Sequence, residues 1–584
     1  MRNSMKWLVS GLMPLTLAAQ TANRDWVAKS NENARLVLEA RMREAPEAAS
    51  QQGMVALDTE ITQITLDRTE KARATAVTVK AELEKRMAAE KDPYVKQDLK
   101  ILIDATDRNI RNIDAVTKVF LPYNDVAGII FQGENVLLDE QVAEPRRAAA
   151  LVRLRKYTGM EPGYRPLTIQ AEERFRAKAA NGALLGPARQ EVEKDLQNAT
   201  AYVDGIGILL EKRKLKGYEE ALGKLRQQVG EYGDFVRKEV LPRSRNDFRL
   251  PPEIYQLGLE GFGVDYTPED LMKVAHQGFT DIQKEMAPIA ARIAKARNLP
   301  SSDYRDVIQA LKKEQFAGDQ ILPKYEAVLK QIEEIITKNH LLTLPQRPAL
   351  IGIASAAETA QQPAPHMQPP PLMNNHGERG KFVLPLTTKG ADGAELKYDD
   401  FTFAAAAWTL TAHEARPGHE LQFDSMVEHG VSLARALFAF NSTNVEGWGL
   451  YAEWFMLPYM PDEGKLISLQ FRLLRAARAF LDPELQMGKI TPEQAMKVLE
   501  TDVAGSKAFA TEEVERFTFR MPGQAVSYYD GFTRILTIRQ FAEKALGKNF
   551  NVQKFHDFVL GQGLLPPDLL RKAVAEDFIP AQGK

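Results

Sequence analysis

From Asp25 to Lys338, apolar residues recur at three- and four-residue steps, the spacing of helices that bury one stripe and solvate the rest. Pro93 to Ile113 shows the pattern, with Val95, Leu99 and Leu102 on one face. Pro93 suits a first helical position, and Asp92 before it suits an N-cap. Further starts are marked by Thr267-Pro268-Glu269-Asp270 before Leu271, and by Ser301-Ser302-Asp303 before Tyr304. There is no fixed repeat period, so these charged, amphipathic helices predict a bundle or a curved wall. Faces rich in Lys, Arg and Glu, such as Lys80 to Lys91, are solvated surface.

The pattern breaks between Leu344 and Pro371. Gln361 to Leu372, rich in proline, predicts loop or polyproline II: a linker between halves, or the lining of a cleft. Lys381 to Leu386 then predicts a strand, which Pro385 confines to a sheet edge. Such an edge can pair with an extended peptide backbone. From Ala394 the chain returns mostly to helix and ends in a short helix after Pro566-Pro567. The fold predicted is mainly α, a large multi-helix assembly around a deep cleft with a small β element next to the catalytic helix. Residues 1–22 read as a signal peptide, 23–343 as a helical N-terminal region and 344–584 as a metal-binding catalytic region, the last two forming one compact unit.

Composition narrows the function. Lys plus Arg number 76 against 78 for Asp plus Glu, so there is no basic footprint for nucleic acid and no polybasic membrane patch. Arg2 and Lys6 precede the apolar run Trp7 to Ala19, which is too short to span a bilayer, and polar sequence follows. That three-part pattern predicts export to the periplasm or beyond, with no stable membrane insertion after the signal is removed; a buried N-terminal helix is the alternative. The chain has no cysteine, which excludes disulfides, thiolate metal sites, a cysteine nucleophile and a lipidated cysteine after the signal. No Gly-rich phosphate loop, G-x-S-x-G elbow or dinucleotide fingerprint is present.

Candidate chemistry gathers at His413-Glu414-Ala415-Arg416-Pro417-Gly418-His419, at the end of the apolar run that begins at Phe401. Two imidazoles and a carboxylate are costly to bury unpartnered, and a divalent metal removes that cost. Zinc helices usually place two histidines four residues apart; here they are six apart, about 240° around an unbroken helix. Pro417 lacks an N–H and crowds the carbonyl of His413, and Gly418 can take positive φ. Together they predict a helix end near Ala415 and a turn that swings His419 back toward His413. Glu414, next to the first histidine, suits a general base for hydrolysis. A third ligand is sought in Asn444 to Trp454, where Glu446 and Glu453 share one helical face among Trp448, Leu450, Tyr451 and Trp454. Glu446 is the expected ligand, and Glu453 a supporting or structural residue. Spacing alone leaves a buried hydrogen-bonded network as an alternative to a metal site.

Three ordered blocks carry a resemblance: HEARPGHELQ (413–422), EGWGLYAE (446–453), and PGQAVSYYDG (522–531) with FHDFVLGQGLLPPDLL (555–570). They resemble the bacterial domain-of-unknown-function 885 family, grouped with gluzincin-like zinc metallopeptidases. The resemblance implies one zinc ion held by His413, His419 and Glu446, with Glu414 as base. Glu420 departs from it where a second consecutive histidine is common, and Tyr529 where lysine is common. A zinc peptidase also needs a donor for its oxyanion, for which Tyr528 is the candidate against a plain core tyrosine. Tyr529 is the adjacent alternative, and Arg520 or Arg516 could hold a substrate carboxylate. His556 reads as a core or capping histidine unless it supports the site, and His376 as a loop residue able to reach substrate. His276, His340 and His429 read as surface or packing residues. The function implied is an exported zinc peptidase acting on oligopeptides. A catalytically inactive periplasmic peptide-binding protein and a metal-dependent hydrolase of non-peptide amides or esters are the alternatives.

Overall fold

In a computed structural model the chain is described for residues 25–389 and 394–582; the expected signal peptide at 1–22 lies outside them. Helices follow one another from Asp25–Glu44 to Ile321–Lys338, as the apolar spacing predicts. The Asp92 side chain accepts from the backbone N–H groups of Tyr94 and Val95, with Pro93 in the first turn. Thr267 and Asp303 cap their helices in the same way. Each cap satisfies donors that the first helical turn leaves orphaned.

The proline-rich stretch is more ordered than its composition predicts. It holds strand β1 (Leu350–Ile353), a short helix (Ala356–Gln361) and strand β2 (His366–Gln368). Ser355 and Glu358 form a reciprocal capping box that starts the short helix. Strand β3 (Lys381–Leu384) is not an edge strand, contrary to expectation. It lies between β1, which it pairs in parallel, and β2, which it pairs antiparallel. Pro385 falls one residue beyond β3, so its missing N–H takes nothing from the ladder. The edges of this sheet are therefore β1 and β2, and the expected pairing of a peptide with β3 has no free edge to use. A separate two-stranded sheet pairs β4 (Thr387–Lys389) antiparallel with β5 (Glu395–Lys397).

The fold is mainly α. One large core draws on residues from Ala34 to Phe578 and includes Phe382 and Leu384 of β3. A second apolar cluster is built from helices between Ile61 and Val240, closed by Ala357. Within the large core, the Asp462–Gln486 helix packs along Pro268–Arg297, and Ser442–Met456 along Ser527–Leu546. The small sheet lies against the turn Thr411–Ala415, which carries His413 and Glu414. Among the described residues, no helix is long and apolar enough to cross a membrane.

Candidate metal centre

The Ala404–Leu410 helix widens into a π-turn at Thr411–Ala415 and stops. Arg416 is extended, its bond to Pro417 is cis, and a new helix begins at His419. The helix end and the redirected chain match the reading of Pro417. Gly418 works differently from expectation: its φ is −77° and its ψ −130°, not positive φ. Glycine is needed there for room, because a Cβ would stand 1.9 Å from the His413 carbonyl oxygen. Trp448 fixes the turn by donating its indole N–H to the Pro417 carbonyl at 3.0 Å. The Arg416 guanidinium pairs with both oxygens of Glu420 at 2.7 and 3.1 Å and with Glu333 at 2.7 Å, and it also donates to the Arg347 carbonyl.

This turn brings His413 beside His419, ring centroids 4.6 Å apart and nearly perpendicular. One oxygen of Glu446, from the Ser442–Met456 helix, lies 3.4 Å from His413 Nε2 and 3.2 Å from His419 Nε2. One donor atom from each residue lies within 4.8 Å of the others. Ligands at zinc bonds of about 2.0–2.1 Å and tetrahedral angles stand roughly 3.4 Å apart, so these separations suit one ion. His413 Nδ1 donates to Glu453 at 2.7 Å, which leaves Nε2 as the electron-pair donor. Thr409 donates to the other Glu453 oxygen at 2.7 Å. His413 has neighbours on every side: a Cβ at Gly449 would sit 2.5 Å from its Cε1. The Glu414 carboxylate, also buried, approaches His413 Nε2 at 3.9 Å.

The charges agree with a cation's place. Burial alone would raise the Glu446 carboxyl, but the two imidazoles outweigh it and hold it well below the usual range. Burial lowers His413, yet Glu446 and Glu453 drive it up to about 9. The carboxylates thus hold a proton where a metal would otherwise supply the positive charge. His419 Nδ1 is buried without a hydrogen-bond partner.

The other expected residues divide. Tyr528 stacks parallel to His413 at 6.2 Å, and burial pushes its hydroxyl up to about 12, so it stays protonated. Arg516 lies close enough to Tyr528 and Glu446 to interact with both, and pairs with Glu512 at 3.2 Å. Tyr529 turns instead to the Pro268–Arg297 helix, its hydroxyl against Gly278. Arg520 pairs with Glu515 at 2.9 Å, and the bonds it makes lead to Glu515 rather than to the triad. His376 is exposed in the loop before β3. His556 is a fully buried core histidine, bonded to the Leu341 carbonyl and to Tyr451 at 2.7 and 2.8 Å. Burial lowers it to about 3, so it stays neutral and braces the far side of the helix that carries Glu446. His276 stacks on Phe480, and His429 bonds within its own helix to Ser425.

Sequence reasoning missed Gln524, whose amide lies 3.5 Å from the second Glu446 oxygen, and the buried arginines Arg472, Arg475 and Arg478. Their three-residue spacing along an otherwise apolar helix was a readable signal.

A mainly α chain with two histidines and a glutamate converging beside a second glutamate is thus defined. The chain belongs to the family described as "Bacterial protein of unknown function (DUF885)", which matches residues 46–574. Among curated proteins, no sequence matches it. Two solved structures share its fold. One, described as a "putative lipoprotein" from Colwellia psychrerythraea, has TM-score 0.76 and 18% identity and covers 94% of this chain and 99% of its own. Another, described as a "putative lipoprotein of unknown function" from Shewanella oneidensis, has TM-score 0.69 and 19% identity and covers 94% of this chain and 100% of its own.

Proposed function

We propose that the chain is an exported, gluzincin-like zinc peptidase that hydrolyses oligopeptides. The observation that carries this reading is the meeting of His413 Nε2, His419 Nε2 and Glu446 within bonding distance of one ion, with Glu414 alongside. When bound, zinc would polarise the scissile carbonyl and make water easier to deprotonate. Glu414 takes the proton of the attacking water and returns it to the leaving nitrogen. Glu453 keeps His413 in the tautomer that offers Nε2. Tyr528, held neutral, remains a donor for the developing oxyanion at neutral pH. Burial of Glu414 and both histidines keeps bulk water from competing for these bonds. Export is supported by the Trp7 to Ala19 pattern and by the lipoprotein descriptions of both structural neighbours.

The test is metal content and peptide-library hydrolysis of the purified protein beside His413→Ala and Glu414→Gln. One zinc per chain is expected in the wild type and in Glu414→Gln, and none in His413→Ala. Hydrolysis should fall about 10²–10⁴-fold in Glu414→Gln. A wild type that holds no stoichiometric divalent metal ends the proposal. Peptides bound and never cleaved would turn it into a binding protein.

A further inference from the structure

Behind Tyr528 lies a cluster that the hydrolytic residues leave unexplained. Arg472, Arg475 and Arg478 succeed one another along Asp462–Gln486, and Arg516 approaches from the helical turn Arg516–Arg520; all four are more than nine-tenths buried. The Tyr528 ring covers the Arg478 guanidinium at 4.4 Å and Arg475 at 5.8 Å. Arg478 forms a two-pronged pair with Glu513 at 2.6 and 2.5 Å. Arg516 has Glu512 at 3.2 Å and Glu513 at 3.8 Å, Arg475 has Glu453 at 3.6 Å, and Arg472 has the exposed Glu285 at 4.0 Å and lies close enough to Glu453 to interact with it.

The carboxylates here are shared. Four guanidiniums face four carboxylates, Glu446, Glu453, Glu512 and Glu513, and Glu446 also faces both histidines. One of those, Glu453, already serves His413. Another, Glu512, is held above its usual range by burial. Arg472 Nη2, Arg475 Nε, Arg478 Nη1 and Arg516 Nη1 are buried with no hydrogen-bond partner. Unpaired guanidinium N–H groups in a dry site are costly, and an incoming anion removes the cost. With Nε and Nη2 of Arg478 already on Glu513 and Nη2 of Arg516 on Glu512, the two Nη1 groups are left to give one bond each to a carboxylate. Arg478 to the Tyr528 ring is 4.4 Å, and that ring to His413 is 6.2 Å. End to end, this is no more than about three extended residues span, at roughly 3.5 Å each.

We propose that Arg478 and Arg516, screened by the Tyr528 ring, form a subsite for the C-terminal carboxylate of the peptide, so that the enzyme trims short fragments from the carboxyl end. The inference relies on the peptidase reading only for the use to which the captured carboxylate is put. Binding and cleavage are therefore measured apart. Calorimetry on zinc-loaded full-length Glu414→Gln compares a short peptide as free acid, the same peptide as C-terminal amide, and an amide with glutamate as its last residue. The free acid should bind at least about tenfold more tightly than either amide, as the loss of a charge-assisted pair implies. That preference should disappear in the Arg516→Gln double variant. Equal affinity of acid and amide, no binding of either, or a glutamyl amide that matches the free acid overturns the subsite. Mass spectrometry of wild-type digests then reads the cut: fragments released from the amino end overturn the assignment, even if the peptidase reading stands.

Discussion

At the scale of single residues, the site depends on space as much as on ligands. Gly449 lies one turn from Glu446 on a helix that otherwise fills its surroundings with Trp448, Leu450 and Tyr451. Alanine there would raise helix propensity by about 1 kcal/mol, so an exposed glycine would be a poor choice. The imidazole of His413 occupies the place of the missing side chain, with ring atoms 2.5 to 2.9 Å from an added Cβ. Gly449→Ala should therefore leave the far-ultraviolet circular dichroism unchanged while pushing His413 off its Glu453 bond. Zinc affinity, measured by competition with a chromogenic chelator, should fall about 10–100-fold, as loss of a ligand's orienting partner does. Unchanged affinity would mean that His413 does not hold the metal in the orientation described. The residue types of the triad were legible in the sequence. The open space that admits His413 was not, because it is set by Gly449, on a separate helix further along the chain.

At the scale of elements, the turn between the two histidines is held by the bonds of one guanidinium. Pro417 explains why the helix stops, and that much is plain from the sequence. It does not explain how the exit is fixed in direction. Arg416 does so by joining Glu420 on the next helix, Glu333 on Ile321–Lys338 and the Arg347 carbonyl. Glu420, which departs from the family resemblance, is fully buried, and burial raises it to about 8 in spite of Arg416. A lysine at 416 would keep the charge and lose the fork, leaving a Glu420 oxygen and the Arg347 carbonyl without their donors. Arg416→Lys should cost about 1–3 kcal/mol in urea unfolding and weaken zinc binding in parallel. A variant as stable as the wild type would show that the turn is held by Trp448 and packing alone. The strand β3 carries the same lesson. Its apolar run was legible, but its central place depends on β2, a three-residue strand within a proline-rich stretch that no periodicity reveals.

At the scale of the whole molecule, the proposed ligands occupy only residues 413–446, yet they sit in a core that runs from Ala34 to Phe578. Helical periodicity made the mainly α fold legible. The division of apolar residues into a large core and a second cluster between Ile61 and Val240 was not, since both use the same three- and four-residue spacing. That division bears on how the protein would respond to the proposed zinc. A ligand that binds only the folded state stabilises it by RT ln(1 + [L]/Kd), about 4 kcal/mol at a thousandfold excess over Kd. Because His413, His419 and Glu446 come from three elements, the Thr411–Ala415 turn and the helices His419–His429 and Ser442–Met456, that energy opposes melting of the whole core rather than of one turn. In scanning calorimetry, zinc should raise the transition of the large core by several degrees, and a chelator should lower it again. His413→Ala should show no response to either. Where the Ile61–Val240 cluster melts as a separate transition, its Tm should stay constant across all these conditions. A zinc-induced shift confined to that second transition would place the metal outside the His413 site.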